Sequence, residues 1–302
     1  MEQQNNYDVI IIGGSYAGLS AAMALGRSLR KVLVIDNNKP CNRQTPHSHN
    51  FITQDGKTPK QIADEAKAQV LKYLTITFID GLVTDGNLNI NGFTIVTEKE
   101  EVFAAKKLLF ATGIKDIMPQ IPGFAECWGI SVLHCPYCHG YEVQHKKLGV
   151  SLNGEMTFET TRMISNWTDK LTLFTNGKST LTEEQTQKLQ SHDIAIVEKK
   201  ITSLNHENGY IKSIVFDDGS QHSIDAVFSK SQLVQHFDLP EQLGCTLTEQ
   251  GFIQVDDLQR TTVHGIYAAG DNTTMFRSVA NAVAAGNKAG AMINREIIEE
   301  TF

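Results

Sequence analysis

Cysteine is scarce in this chain of 302 residues, and most of it is scattered. Cys41, Cys127, Cys135, Cys138 and Cys245 are too few for the disulfide framework that staples small secreted domains. Only Cys135 and Cys138 lie close together, and there is no second CxxC with which to build a zinc site, so no metal is expected. Basic charge is also in deficit: 27 Lys and Arg stand against 34 Asp and Glu, for a net charge of −7. That balance excludes the basic surface that nucleic acids or anionic membranes require. No apolar run reaches the roughly 18 residues of a membrane span. The opening MEQQNN lacks the basic-then-apolar order of a secretory signal, so a cytoplasmic location is expected.

What is present begins with Asp8–Ile12, a short apolar run of the kind buried in a parallel sheet. Gly13-Gly14-Ser15-Tyr16-Ala17-Gly18 follows, then a helix-period run, then Val32–Ile35 ending on Asp36. Strand, glycine turn, helix, strand and acid in this order form a dinucleotide-binding unit. Ser15 replaces the second glycine of that pattern, and its hydroxyl can hydrogen-bond a phosphate. Asp36 is placed to accept ribose hydroxyls. A glycine-rich turn in a non-binding βαβ unit is the bland alternative.

Residues 37–60 read as a long irregular loop holding His47, His49 and Asn50; loops of this length inside compact domains are usually functional. His47 and His49 are read there as ordinary polar loop residues. A helix over 60–74 and strands at 75–80, 88–96 and 101–110 come next, the last running into Ala111-Thr112-Gly113. From about residue 117 the strand-turn-helix-strand order repeats, which is an internal duplication of architecture. Near the end, Gly265–Asp271 is a strand closing on Gly270-Asp271, and a small-residue helix follows over 280–298. The chain is therefore expected to be α/β, with two Rossmann-like three-layer domains. The first is discontinuous, 1–116 and 244–302, and the second, 117–243, is inserted into it.

The central stretch is His134-Cys135-Pro136-Tyr137-Cys138-His139-Gly140-Tyr141-Glu142. Two cysteines with two residues between them can close a disulfide across one helical turn and exchange two electrons reversibly. GGSYAG, the ATG at 111–113, this CxxC and GIYAAGD occur in one order over the whole chain. That order resembles the thioredoxin-reductase-like class of flavin disulfide oxidoreductases. CPYCHGYE further resembles the subgroup of gliotoxin-type dithiol oxidases and their bacterial relatives.

The resemblance implies FAD as cofactor, a homodimer, and a dithiol or disulfide substrate, either a small molecule or a thioredoxin-like protein. Gly13, Ser15, Gly18 and Asp36 would hold the ADP half, with Val83 at the adenine. Asn50 would lie at the flavin, Thr112 and Gly113 along the nucleotide, and Gly270-Asp271 at the ribityl or pyrophosphate region. Arg277-Ser278-Val279 would meet the pyrimidine edge of the ring. Cys138 is assigned to the flavin side and Cys135 to exchange with the substrate's sulfur. In the wider family an aspartate follows the second cysteine; here His139 takes that position and His134 precedes the first cysteine. Either imidazole, ordinarily near pKa ~6.5, can pass a proton at neutral pH.

The inserted domain departs from the pattern. Its strand and turn read Val150-Ser151-Leu152-Asn153-Gly154-Glu155-Met156-Thr157, with Leu152 in place of the first glycine. Phe174–Lys178 replaces the arginine-rich segment for a 2′-phosphate, leaving only Lys178 as a cation. Tight NADPH binding is therefore not expected, and oxygen or a ferredoxin-type protein becomes the other electron partner. The competing readings are an NAD(P)H-dependent reductase with a divergent turn, and a flavin-binding redox sensor without turnover.

Overall fold

A computed structural model describes residues 6–302, so most of the polar opening lies outside the described residues. The chain divides into two units. The first takes the described residues up to 43, with 51–115 and 233–302, and the second takes 44–50 and 116–232. The second crossing falls at 232, not 243. The reason is local: Leu239, in the short helix over Leu239–Gln242, is buried in the first unit's core with Cys245 and Ile253, and Phe237 packs edge-on against Phe110.

In the first unit the order is β1 (Asn6–Ile12), α1 (Tyr16–Arg27), β2 (Val32–Asp36), α2 (Pro59–Val70), β3 (Ile76–Asp80), β4 (Val83–Asn89), β5 (Gly92–Thr97) and β6 (Val102–Phe110). The expected strand at 88–96 is two strands. Gly92, at φ +126°, turns the chain where a Cβ would meet the Ala105 carbonyl oxygen at 2.3 Å. The sheet order is β3-β2-β1-β6-β5-β4, parallel through β6 and antiparallel beyond it. A further strand, Ile266–Ala268, joins β6 in parallel. Alternation along β1 sends Val9 and Ile11 into one buried cluster and Ile10 and Ile12 into the other. The sheet is thus covered on both faces, which explains why β1 reads as a continuous apolar run. One cover is α1 with the long C-terminal helix Val279–Thr301. A Cβ on Gly286 would lie 2.0 Å from the Ala17 carbonyl oxygen, so the two helix backbones touch.

The second unit has α3 (Phe124–Cys127), then strand Val132–Leu133, α4 (Pro136–His139), strand Leu148–Ser151, α5 (Thr157–Ile164), strand Leu171–Phe174, α6 (Glu183–Gln190) and strand Ala195–Val197. Three antiparallel strands follow (Ile201–Glu207, Tyr210–Phe216, Gln221–Ser223), then Ala226–Ser229. Five parallel strands form the central sheet, in the order 195–197, 171–174, 148–151, 226–229, 132–133. One face packs Leu148, Val150 and Leu173 against Ile164 of α5 and Leu189 of α6. The other packs Val132, Phe174 and Val227 against Leu204, Ile211 and Ile214 of the antiparallel layer. This is the three-layer Rossmann-type arrangement anticipated from the duplicated pattern.

Candidate active site

Cys135 and Cys138 form a disulfide with a Cα–Cα distance of 5.3 Å, inside the usual range. Pro136 occupies the first helical position of α4, where its missing N–H costs nothing, and Cys135 precedes it in extended backbone. The turn rests between the chain's two tryptophans. Trp128 stacks on His134 at 5.8 Å between ring centres, and Trp167 meets Tyr137 edge-on at 5.9 Å. At Gly140 a Cβ would lie 2.5 Å from the Pro136 carbonyl oxygen and 2.7 Å from the Trp167 ring, so only glycine lets the turn settle there.

Of the two candidate imidazoles, His139 is corrected by its surroundings. It is half-buried behind the disulfide turn, and burial, with the nearby His49, pushes its pKa down from 6.5 to about 4. His139 is therefore neutral at rest near pH ~7. Glu142, which by sequence could either orient a histidine or cap the helix, pairs with His49: His49 Nε2 stands 3.5 Å from Glu142 Oε1. His49 is less exposed than Glu142, at 19% against 38% of the side chain. The loop's length was the one available signal for His49. A separation of 93 positions along the chain hides its pairing with Glu142.

In the first unit the glycine turn has the form a nucleotide cradle needs. Gly13 sits at φ +107°, and a Cβ there would be 2.2 Å from the Ala111 carbonyl oxygen. On Gly18 it would be 1.9 Å from the Gly13 carbonyl oxygen, so α1 lies directly on the turn. Gly14 N–H donates to Asp36 Oδ1 at 3.0 Å, fixing the acid at the end of β2. Ser15 precedes α1 in extended backbone without capping it, so its hydroxyl is not spent on the helix. Thr112 and Gly113 follow β6, and Val83 opens β4 as a buried core residue. Gly270, at φ +97°, leads to Asp271, whose Oδ2 accepts from Arg277 Nε at 3.1 Å. Ser278 caps the C-terminal helix by accepting from Asn281 N–H at 3.1 Å, and Val279 is that helix's first residue.

Asn272 was not anticipated. Its side chain is fully buried and donates to the Phe110 carbonyl at 2.9 Å and to Thr112 Oγ1 at 3.2 Å. Its Oδ1 has no hydrogen-bond partner among the described residues. A buried orphan acceptor beside Thr112, with a glycine cradle that a Cβ would fill, fits a bound dinucleotide. Asn50, at φ +61°, differs from the rest of this set, because its segment 44–50 groups with the second unit.

The second nucleotide turn is closed by its own side chains. Asn153 Nδ2 donates to the Lys178 carbonyl at 2.9 Å, and Asn153 Oδ1 accepts from Thr180 N–H at 3.0 Å and Thr180 Oγ1 at 2.9 Å. Thr175 Oγ1 donates to the Gly177 carbonyl at 2.6 Å, and Asn176 Oδ1 accepts from Ile201 N–H at 2.7 Å. These are the positions after the second strand where a Rossmann unit meets the ribose, and here they satisfy one another.

The model of the pyridine nucleotide-disulphide oxidoreductase family matches residues 7–286. The chain belongs to that family. It is 31% identical to a thioredoxin reductase, tcpT, of Claviceps purpurea, over 99% of this chain and 97% of the relative. Among solved structures, a putative thioredoxin reductase TrxB from Bacillus anthracis superposes with a TM-score of 0.94 at 33% identity, covering 98% of this chain and 100% of that one. An oxidoreductase from Agrobacterium tumefaciens gives 0.92 at 37%, covering 97% and 99%. The chain is thus a thioredoxin-reductase-like, FAD-dependent disulfide oxidoreductase, as its motif order implied. No helix among the described residues is long and apolar enough to cross a membrane. His264, Glu296 and Glu300 cluster in the first unit, but Lys107 Nζ lies 2.5 Å from an oxygen of each carboxylate and supplies the cation itself.

Proposed function

We propose that this enzyme exchanges two electrons with a dithiol or disulfide substrate through Cys135 and Cys138, without tight binding of NADPH. The observation that carries this reading is the second turn: Leu152 stands in place of its first glycine, and Asn153 is bonded to Lys178 and Thr180, whereas the first turn keeps the close glycine packing of Gly13 and Gly18. In the oxidising direction, a substrate thiolate attacks Cys135 Sγ. A mixed disulfide forms, the Cys135–Cys138 bond breaks, and Cys138 leaves as a thiolate. The second substrate thiolate then attacks the substrate sulfur bonded to Cys135. That step releases the substrate disulfide and the reduced pair, with two protons lost from the substrate.

We assign one of these protons to His49, which pairs with Glu142 in the same unit as the dithiol; the neutral His139 offers a hydrogen-bond acceptor. FAD, when bound, supplies the two-electron store that the dithiol alone lacks. Gly13, Ser15, Gly18 and Asp36 would hold its ADP half, with Val83 beside the adenine. Thr112, Gly113, Gly270, Asp271 and Asn272 would line the remainder, and Arg277–Val279 and Asn50 would serve the ring. Oxygen or a redox protein would be the other electron partner, in a cytoplasmic homodimer.

Stopped-flow absorbance of the flavin tests the reading. Bleaching by a dithiol, with none by NADPH or NADH at micromolar concentrations, is the expected result; rapid bleaching by either nicotinamide overturns it. In parallel, Cys138→Ser should trap a substrate supplied as its disulfide, Cys135 displacing one substrate thiolate to form a mixed disulfide, whereas Cys135→Ser should not.

A further inference from the structure

The second unit contains a cavity of about 620 Å³ that the dithiol chemistry does not account for. That volume falls in the range of small-molecule sites. It opens at the carboxyl ends of strands 148–151 and 226–229, with Leu152 on one side and Phe228–Lys230 on the other. Sequence order reverses between these two neighbouring strands, because strands 171–174 and 195–197 extend one way and 132–133 the other. Parallel sheets bind ligands at such a switch point.

A dinucleotide does not suit what lines this one. The backbone groups beyond the second strand are bonded to Asn153, Leu152 fills the place of a glycine, and Glu155 and Glu159 put two carboxylates where phosphates approach. Much of the wall is soft and apolar, through Leu152, Met156, Met163, Trp167, Tyr137 and Phe228, with Thr160, Asn166 and Ser229 as uncharged polar groups between them. Unbranched, polarizable methionines adapt to ring systems of varied shape. Two cations reach the cavity. Arg162 is paired with Glu159, and Lys230 has no ion-pair partner among the described residues.

We propose that this cavity binds a compact, largely apolar ring compound carrying at most one anionic group and no phosphate. One wall of the cavity is the dithiol turn itself, through His134, Pro136 and Tyr137, so the occupant touches the element that carries Cys135. The proposal rests on the reading that NADPH is not tightly held in this unit, but it concerns what occupies the space instead.

The test uses oxidised holoenzyme without turnover, with 1-anilinonaphthalene-8-sulfonate as a singly charged ring probe. Binding should appear as enhanced probe emission on direct excitation, saturating at one probe per chain. Met163→Asp, a change at the cavity's rim, should raise the probe's Kd at least about tenfold by placing a charge against it. Met156→Asp is the second variant should the first not fold. Millimolar NADP⁺ should fail to displace the probe. Displacement by micromolar NADP⁺ overturns the proposal, as does binding insensitive to both aspartate substitutions. Because the readout is binding alone, its failure leaves the cysteine-trapping and flavin-bleaching results standing by themselves.

Discussion

Protonation of His139 is the most direct quantitative consequence of the dithiol site. With the folded pKa near 4 and the ordinary value at 6.5, the folded state favours the neutral ring. Below pH ~6.5 the unfolded chain takes up a proton that the folded chain refuses, so stability is complete above that value and is lost as pH falls toward about 4. At about 1.4 kcal/mol per tenfold change in affinity, the full loss is at most about 3 kcal/mol, and solvent reaching the half-buried ring reduces it to about 1–2 kcal/mol. In a protein of this size that corresponds to a melting shift of roughly 2–6 °C. His139→Gln removes the titration. Thermal unfolding of oxidised enzyme near neutrality and near pH ~4.5 should therefore show a smaller acid-induced drop for the variant than for the wild type, by about that amount. A ¹³C-histidine NMR titration gives the pKa itself. Equal acid sensitivity of the two proteins, or a His139 midpoint above pH ~6, would refute the reasoning.

Four other substitutions probe three separate links. Gly13→Ala forces a Cβ to 2.2 Å from the Ala111 carbonyl oxygen at φ +107°, so the purified protein should carry well under one flavin per chain by absorbance; full occupancy would count against the cradle. His49→Gln and Glu142→Gln should each slow reaction of the disulfide with a dithiol by about 10–100-fold while leaving flavin content unchanged, and an unchanged rate would remove this pair from proton transfer. Lys107→Ala strands Glu296 and Glu300 without their shared ammonium and should destabilise the first unit by about 3 kcal/mol, seen as a lower melting temperature; a neutral effect would show that solvent already screens those carboxylates.

What could be read from the chain was whatever depends on near neighbours. The CxxC spacing specifies a turn that a disulfide can close, with proline set for its first helical position. Gly13 and Gly18 mark a backbone approach that no side chain tolerates, and Asp36 ends the next strand at a fixed distance along the chain. The continuous apolar run of β1, buried on both faces, gave away the parallel sheet. Leu152 showed by itself that the second turn lacks its glycine.

Other properties depend on long-range approach, which residue order does not encode legibly. His139 looked like a neutral-pH proton carrier until folding took it out of water. His49 looked like an ordinary loop residue until folding set it against Glu142. The degraded turn was visible at Leu152, but its closure needed Asn153 brought onto Lys178 and Thr180, roughly 25 residues away. Asn272 acquires its orphan oxygen only because β6 lies beside it, 160 residues earlier in the chain. Local covalent geometry thus fixed which atoms can react and which backbone can hold a nucleotide. Burial and through-space pairing, which exist only in the folded chain, decided the protonation states and what the second unit has room to bind.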